Sequence, residues 1–184
     1  LDSGAITPSA TYNDTGCIAL DKKTICNFDA KARGVIPMQE ILSQSLNLGA
    51  SFIATRMGST TMRNYFFAHY KLGEETGIDL PGEIHGLVDN LNSPRQVEYD
   101  TAAFGQGIAV TPIETVRALS SLANGGYLVT PHLVRAVHYD MGYTKELGWG
   151  VPEQVLKQKT VTDVSRMLTV VVDTALAGGG IKLD

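Results

Sequence analysis

Ser45 and Asn47 lie two residues apart in the stretch ILSQSLNLGA, residues 41–50. A hydroxyl and a primary amide each both donate and accept hydrogen bonds, so the question is whether a loop places the two in one cleft. In an unbroken helix the two side chains would point about 200° apart, since each residue turns about 100°. To act on one ligand they need a break, where residues i and i+2 can share a face. Serine and asparagine also fall at this spacing by chance, and two polar residues closing a helix is the plain alternative. Other chemistries find less support. Gly105-Gln106-Gly107 lacks the third glycine and the βαβ setting of a dinucleotide fingerprint. The chain has no Gly-x-Ser-x-Gly elbow. His69, His85, His132 and His138 have no zinc-like spacing, and two cysteines on one hairpin do not complete a metal site. The sequence calls for no metal and no cofactor.

The elements that must carry Ser45 and Asn47 can be read from periodicity. Pro37 opens a helical pattern through Met38, Ile41 and Leu42 that stops near Ser45-Asn47. Apolar residues resume at Phe52, Ile53 and Met57 and end at Gly58, and residues 59–70 read as another helix with Tyr65 and Phe66 in its core. Gly77 to Glu83 is a turn-rich connection. Thr111-Pro112-Ile113-Glu114 is a helix start, with Thr111 as cap, Pro112 in the first turn and Glu114 completing a capping box. Ile113, Val116, Leu119 and Leu122 follow at helical spacing until Gly125-Gly126 stops the run. Strand-like segments cover 127–129 and 133–139, and a last helix is predicted from Asp163 to Leu176 with Thr162 as its cap. Val170-Val171-Val172 is expected to face a sheet whose strands are missing from this chain. Gly105 and Gly107 read as turn and packing residues, Gln106 as a bond to backbone, and Trp149 as a half-buried anchor. The layout is α+β and predominantly helical: a hairpin over 16–28, a mainly helical part over 37–126, then strands and a final helix over 127–184.

The hairpin comes from residues 16–28, GCIALDKKTICNF. A two-residue loop at Asp21-Lys22 pairs Leu20 with Lys23, and the same register sets Cys17 opposite Cys26 at a non-hydrogen-bonded position, where side chains lie closest. That geometry permits a disulfide, and with it an oxidising compartment. Two free, half-buried cysteines are the alternative, since Asp-Lys is not a favoured turn pair and the register can slip.

Bulk properties set limits. The chain has 184 residues, 43% hydrophobic and 18% charged, which are globular values for one domain or a large piece of one. A net charge of −4 without a basic cluster gives no footprint for nucleic acid. No apolar run is long enough to span a membrane, and no signal peptide opens the chain. LDSGAITPSA reads like a helix end running into a loop, and ALAGGGIKLD breaks off where a new element should begin. Both ends look cut.

Three longer stretches carry a resemblance. IPMQEILSQSLNLGASFIATRMG at 36–58 resembles the second active-site motif segment of penicillin-binding protein transpeptidase domains. GIDLPGE at 77–83 and AFGQGIAVTPIETVRALSSLANGGYLVTPHLV at 103–134 are similar to connecting segments of the same family. The opening LDSGAITPSATYNDTG resembles the segment after the nucleophile helix in class B members. The resemblance covers most of the chain and is weakest over about 140–175; the subgroup it most resembles is the elongation and division transpeptidases called penicillin-binding protein 2. It implies the fold shared with serine β-lactamases, of which this chain would be the central piece. In that family Ser-x-x-Lys, Ser-x-Asn and Lys-Thr-Gly meet in one cleft. The first serine attacks a stem-peptide D-alanine carbonyl or a β-lactam, and a second stem peptide's amine resolves the acyl-enzyme. By resemblance Ser45 would shuttle a proton, and Asn47 would bind substrate backbone and help hold the motif-one lysine. Peptidoglycan stem peptides, β-lactams and cell-wall assembly proteins are the implied partners. The implied place is the periplasmic face of the cytoplasmic membrane, with a transmembrane anchor outside this chain.

The departures are equally specific. No Ser-x-x-Lys exists, and the two Lys-Thr pairs continue as Ile25 and Val161. The expectation is therefore an internal fragment that forms no acyl-enzyme alone, and whose uncovered helix faces favour self-association. Two other readings stay open: a class D-type β-lactamase or β-lactam sensor domain, and a non-catalytic interaction module for cell-wall assembly.

Overall fold

The computed structural model describes residues 1–176, in which helices are interleaved with four two-stranded antiparallel sheets. β1 (Thr11–Asp14) pairs with β4 (Gly34–Pro37), and β2 (Cys17–Leu20) with β3 (Lys23–Cys26). Then come α1 (Met38–Ser43), α2 (Asn47–Met57) and α3 (Ser59–Arg63), the last running on as a π-helix over Asn64–His69. Tyr65 and Phe66 are half-buried there, packing against core residues rather than being enclosed by them. α4 (Gln96–Ala102) and α5 (Pro112–Ser120) follow. β5 (Tyr127–Leu128) pairs with β8 (Glu153–Gln154), β6 (Ala136–His138) with β7 (Thr144–Glu146), and α6 (Gln158–Val170) ends the regular helices.

The β2–β3 hairpin turns on Asp21 and Lys22, at φ 48° and 62°. Two successive positive φ values are what a type I′ turn requires, and they match the right-handed twist of the flanking strands. The register runs from Leu20 opposite Lys23 to Cys17 opposite Cys26. The last pair has a Cα–Cα distance of 4.1 Å, and its sulfurs are bonded.

α2 is the hub. Its sequence, NLGASFIATRM, is apolar on nearly every side, which suits a helix enclosed by others. Leu48 packs with Ile25 and Val97, Ala54 with Met62, Leu91 and Tyr99, and Phe52 and Ile53 against Tyr12, Met38 and Ile41. At Gly49 an added Cβ would lie 2.3 Å from Ile41 Cγ1, so the missing side chain is what lets α1 cross there.

Two helices differ from their sequence pattern. α5 starts with the expected capping box at Thr111, yet it buries Glu114 (1% exposed) and Arg117 (6%) and leaves Val116 (62%) and Leu119 (60%) in solvent. Hydrogen bonds decide this orientation. Glu114 accepts from the backbone N–H of Gly73 (2.8 Å), Gly86 (3.2 Å) and Thr111 (2.6 Å). Arg117 donates to the carbonyls of Tyr70 and Lys71 at 3.2 and 3.1 Å. Gly86 is buried and the other backbone groups are partly so; left unpaired, a buried group costs about 1–3 kcal/mol. Burial pushes the Glu114 carboxyl upward, but the backbone donors led by Thr111 outweigh it and hold the group below its ordinary value.

α6 begins at Gln158, not Asp163. Its first turn is fixed from far along the chain: Asp2 accepts from Lys157 N at 2.8 Å and from Thr160 Oγ1 at 2.7 Å. Thr162, expected as the cap, sits inside the helix and bonds back to the Gln158 carbonyl. Val170 is 37% exposed and Val171 and Val172 are half-buried. Among the described residues every sheet is two-stranded, and the strands this run is expected to face lie outside this chain. Trp149 is half-buried, stacked on His132 with 4.9 Å between centroids.

Candidate active site

α1 ends at Ser43 in a Schellman arrangement. Leu46 N–H reaches back to the Ile41 carbonyl (3.0 Å) and Ser45 N–H to that of Leu42 (3.4 Å). The residue such a cap puts in the left-handed region is usually glycine; here it is Ser45, at φ 51°. The apolar contact that accompanies the motif is Ile41 with Leu46, both buried in one cluster. Gln44, just before, is held from both sides, accepting from Arg33 Nε (3.0 Å) and donating to Glu40 (2.7 Å). The break between helices at 44–46 is thus a built turn.

α2 begins at once, at Asn47, and its own N-cap residue, Leu46, has no side-chain acceptor to offer. The cap comes from the hairpin instead. Asn27 Oδ1 accepts from Leu48 N at 3.1 Å, while Asn27 Nδ2 is fixed on buried Asp14 at 2.9 Å to each oxygen. One residue earlier, the Cys26 carbonyl accepts from Asn47 Nδ2 at 3.0 Å. A carbonyl can only accept, so the amide turns its Nδ2 to Cys26, and its Oδ1 accepts no hydrogen bond from the described residues. Asn47 is half-buried and lines a cleft of about 600 Å³.

The other wall of that cleft is α4. It presents Glu98 and Thr101, with Arg95 just ahead of the helix and Phe104 and Gln106 after it; β3 supplies Lys23, Thr24 and Ile25. α4 likewise lacks a cap of its own, and Asp21 Oδ2 at the hairpin turn accepts from Val97 N at 3.2 Å. α2 and α4 are also pinned together: buried Asp100 accepts from Ser51 Oγ (2.7 Å) and Gln96 Nε2 (2.6 Å). Lys23, Arg95 and Glu98 make the lining polar, with Arg95 and Glu98 paired at 3.3 Å.

Of the two residues singled out by sequence, Asn47 lies in the cleft wall. Ser45 is solvent-exposed, and neither its hydroxyl nor its backbone belongs to the cleft lining. Asn27, Asp21 and the α4 wall were not foreseen; asparagine and aspartate are cap-type residues, but they lie 21 and 76 positions from the amides they cap, beyond any local signal. Gln106, expected to bond backbone, does so through its own N–H, which donates to the Thr101 carbonyl at 2.9 Å, and the residue also lines the cleft. Gly105 and Gly107 make the turn beside it at φ 83° and 77°, and at Gly107 a Cβ would stand 3.0 Å from Asn90 Nδ2.

Comparison with known proteins bears on what this cleft is. The family model described as penicillin binding protein transpeptidase domain matches residues 1–182. Stage V sporulation protein D of Bacillus subtilis is 34% identical over 124 residues, covering 67% of this chain and 19% of that protein. The peptidoglycan D,D-transpeptidase FtsI homolog of Chlorokybus atmophyticus is 31% identical over 147 residues, covering 73% of this chain and 22% of that protein. The chain thus spans about a fifth of the length of these curated relatives. Penicillin binding protein 3 of Mycobacterium tuberculosis, in a crystal structure with aztreonam, superposes with a TM-score of 0.85 at 24% identity, covering 96% of this chain and 39% of that one. That likeness speaks for the fold alone.

Proposed function

This chain belongs to the penicillin-binding protein transpeptidase family, and from that premise we propose that it forms one wall of the cleft of a peptidoglycan D,D-transpeptidase. The reaction is acyl transfer: a serine attacks the D-alanine carbonyl of a stem peptide, the terminal D-alanine leaves, and the amine of a second stem peptide releases the acyl group as a cross-link. A β-lactam enters the same site and stays on the serine. The attacking serine and its lysine belong to a Ser-x-x-Lys that this sequence does not contain. By itself, the chain forms no acyl-enzyme.

The observation that carries the reading is Asn47. Its Nδ2 is committed to the Cys26 carbonyl, so Oδ1 is the atom available to the cleft. An acceptor there suits the ammonium of the motif-one lysine or an N–H of the substrate backbone. Ser45 is exposed and outside this lining; the proton relay toward the leaving group or the motif-one lysine is a role that the family resemblance alone implies for it. The Cys17–Cys26 bridge fits an extracytoplasmic, oxidising location. No described helix is long and apolar enough to cross a membrane; the transmembrane anchor outside this chain is what the family resemblance implies. The exposed Val116, Leu119 and Leu168 offer an apolar face for cell-wall assembly proteins or for self-association.

The test is intact-mass spectrometry with benzylpenicillin on two samples: this chain alone, and this chain joined to family segments supplying Ser-x-x-Lys and Lys-Thr-Gly. One penicillin mass on the joined protein and none on the chain supports the reading. An adduct on the chain alone, or none on the joined protein, overturns it.

A further inference from the structure

The β2–β3 hairpin does more than line the cleft. Its two ends grip the two helices that wall it. At the bridged end, Cys26 and Asn27 hold Asn47 and Leu48 at the start of α2, at 3.0 and 3.1 Å. At the turn end, Asp21 holds Val97 at the start of α4, at 3.2 Å. Neither helix supplies a side-chain cap from its own N-cap residue. Between these grips the hairpin has four residues per strand and a single crosslink, Cys17–Cys26, at the α2 end. A two-stranded ribbon by itself is marginally stable in water; here the crosslink adds to the ties that buried Ile25 and Asn27 give the strand on either side of Cys26, and it is the one covalent tie, made at Cys26 itself.

We infer that the Cys17–Cys26 bridge is a positioning device for Asn47, making the cleft's competence to bind and acylate depend on the oxidation state of this pair. The inference rests on the transpeptidase reading for its catalytic consequence, but its structural half stands without it. With the bridge closed, the Cys26 carbonyl is fixed and the Asn47 amide has one orientation, Oδ1 to the cleft. A dithiol reductant opens the bridge by exchange: two thiols form on Cys17 and Cys26, and the reductant closes its own disulfide. The strand end is then free to move, Asn47 Nδ2 loses its fixed acceptor, and the amide no longer presents Oδ1. Asn27 keeps its bonds to Asp14 but is joined directly to Cys26, so motion of the strand end loosens its hold on Leu48.

Two readouts separate this inference from the function it builds on. The first uses the chain itself: backbone amide exchange at Leu48 and Val97 and the side-chain amide signal of Asn47, compared between the oxidised protein, the protein reduced with dithiothreitol, and Cys17→Ser/Cys26→Ser. Opening the bridge is expected to speed exchange at Leu48 about fivefold to tenfold, the size of a lost helix cap, and to shift the Asn47 signal. The Glu114 amide, in the remote α5 box, is expected to stay unchanged, and reoxidation restores the first two. An unchanged Leu48 and Asn47, or equal acceleration at Glu114, overturns the inference. Asp21→Ala, an exposed change that leaves the bridge intact, is expected to speed exchange at Val97 and not at Leu48; the reverse pattern counts against two separate grips. The second readout is the rate of acylation by a fluorescent penicillin in the joined protein. Reduction is expected to slow it about tenfold in the wild type and to add little in Asn47→Ala, because the bridge acts through that side chain. Full additivity of the two effects overturns the positioning role. If the oxidised joined protein is not acylated at all, the transpeptidase reading fails, and the exchange data still decide whether the bridge holds Asn47.

Discussion

Replacing Ser45 by glycine and by alanine gives opposite results if this turn is built as described. Ser45 occupies the left-handed position of a Schellman cap at φ 51°, where a Cβ is crowded against the following carbonyl and costs about 1–2 kcal/mol. Glycine removes that cost but gains freedom in the unfolded chain, worth about 0.4–1 kcal/mol against stability. The net for Ser45→Gly is a gain of about 0.5–1 kcal/mol, or about 1–4 °C in Tm for a domain of this size. Ser45→Ala keeps the Cβ and so keeps the strain. Its hydroxyl is exposed and makes no hydrogen bond to a described residue, so its loss leaves stability within about 0.5 kcal/mol of the wild type. Differential scanning calorimetry, with urea unfolding to check that the m-value is unchanged, measures both. A serine retained at the cost of stability, where glycine fits better, is what a functional hydroxyl would look like. If Ser45→Gly is less stable than wild type, or if alanine stabilises as much as glycine, the left-handed strain is not there and the reasoning fails.

Three further outcomes are expected from the packing. Asn27→Ala removes the α2 cap and one donor set from buried Asp14, with an expected loss of about 2–4 kcal/mol in urea unfolding. Gly49→Ala drives a Cβ to 2.3 Å from Ile41 Cγ1 and 2.8 Å from Tyr12 Oη; overpacking of about 1–3 kcal/mol is expected, read as a lower urea midpoint. The folded pKa of Glu114 is depressed below its ordinary 4.5, so its contribution is complete above that value and is lost as pH falls through the folded pKa. Stability measured from pH 6 to pH 3 should therefore fall more steeply for the wild type than for Glu114→Gln, the two curves converging at the acid end.

What the sequence revealed and what it hid divide along the range of the interactions. The Thr111 capping box is local, from Thr111 to Glu114, and the structure contains both of its hydrogen bonds. The interruption of helical periodicity near Ser45 is local too, and α1 and α2 are indeed separate helices there. The transpeptidase family was legible from the long segments at 36–58 and 103–134, and the family match spans them both. The features that stayed hidden are set by distant partners. Asp2 fixes the start of α6 from 155 residues away, so reading Thr162 as its cap put the helix five residues late. α5 turns Glu114 and Arg117 inward because loops at 70–76 and 86 present buried or partly buried polar backbone, a demand no periodicity can signal. The α4 wall and the Asn27 cap escaped for the same reason: their partners meet only when the hairpin is folded against two helices.

The central claim is that Asn47 presents an acceptor to an acyl-transfer cleft. Its most direct measurement is the acylation rate of the joined protein by benzylpenicillin, followed by intact mass over time, beside Asn47→Asp and Asn47→Ala. A single adduct is predicted on the wild type, with acylation slowed about 10²-fold or more in Asn47→Ala, as for other groups that hold a reacting constellation in place. Asn47→Asp keeps an acceptor but cannot donate to the Cys26 carbonyl, and is expected to be slowed as well. Wild-type rates in Asn47→Ala would contradict the claim.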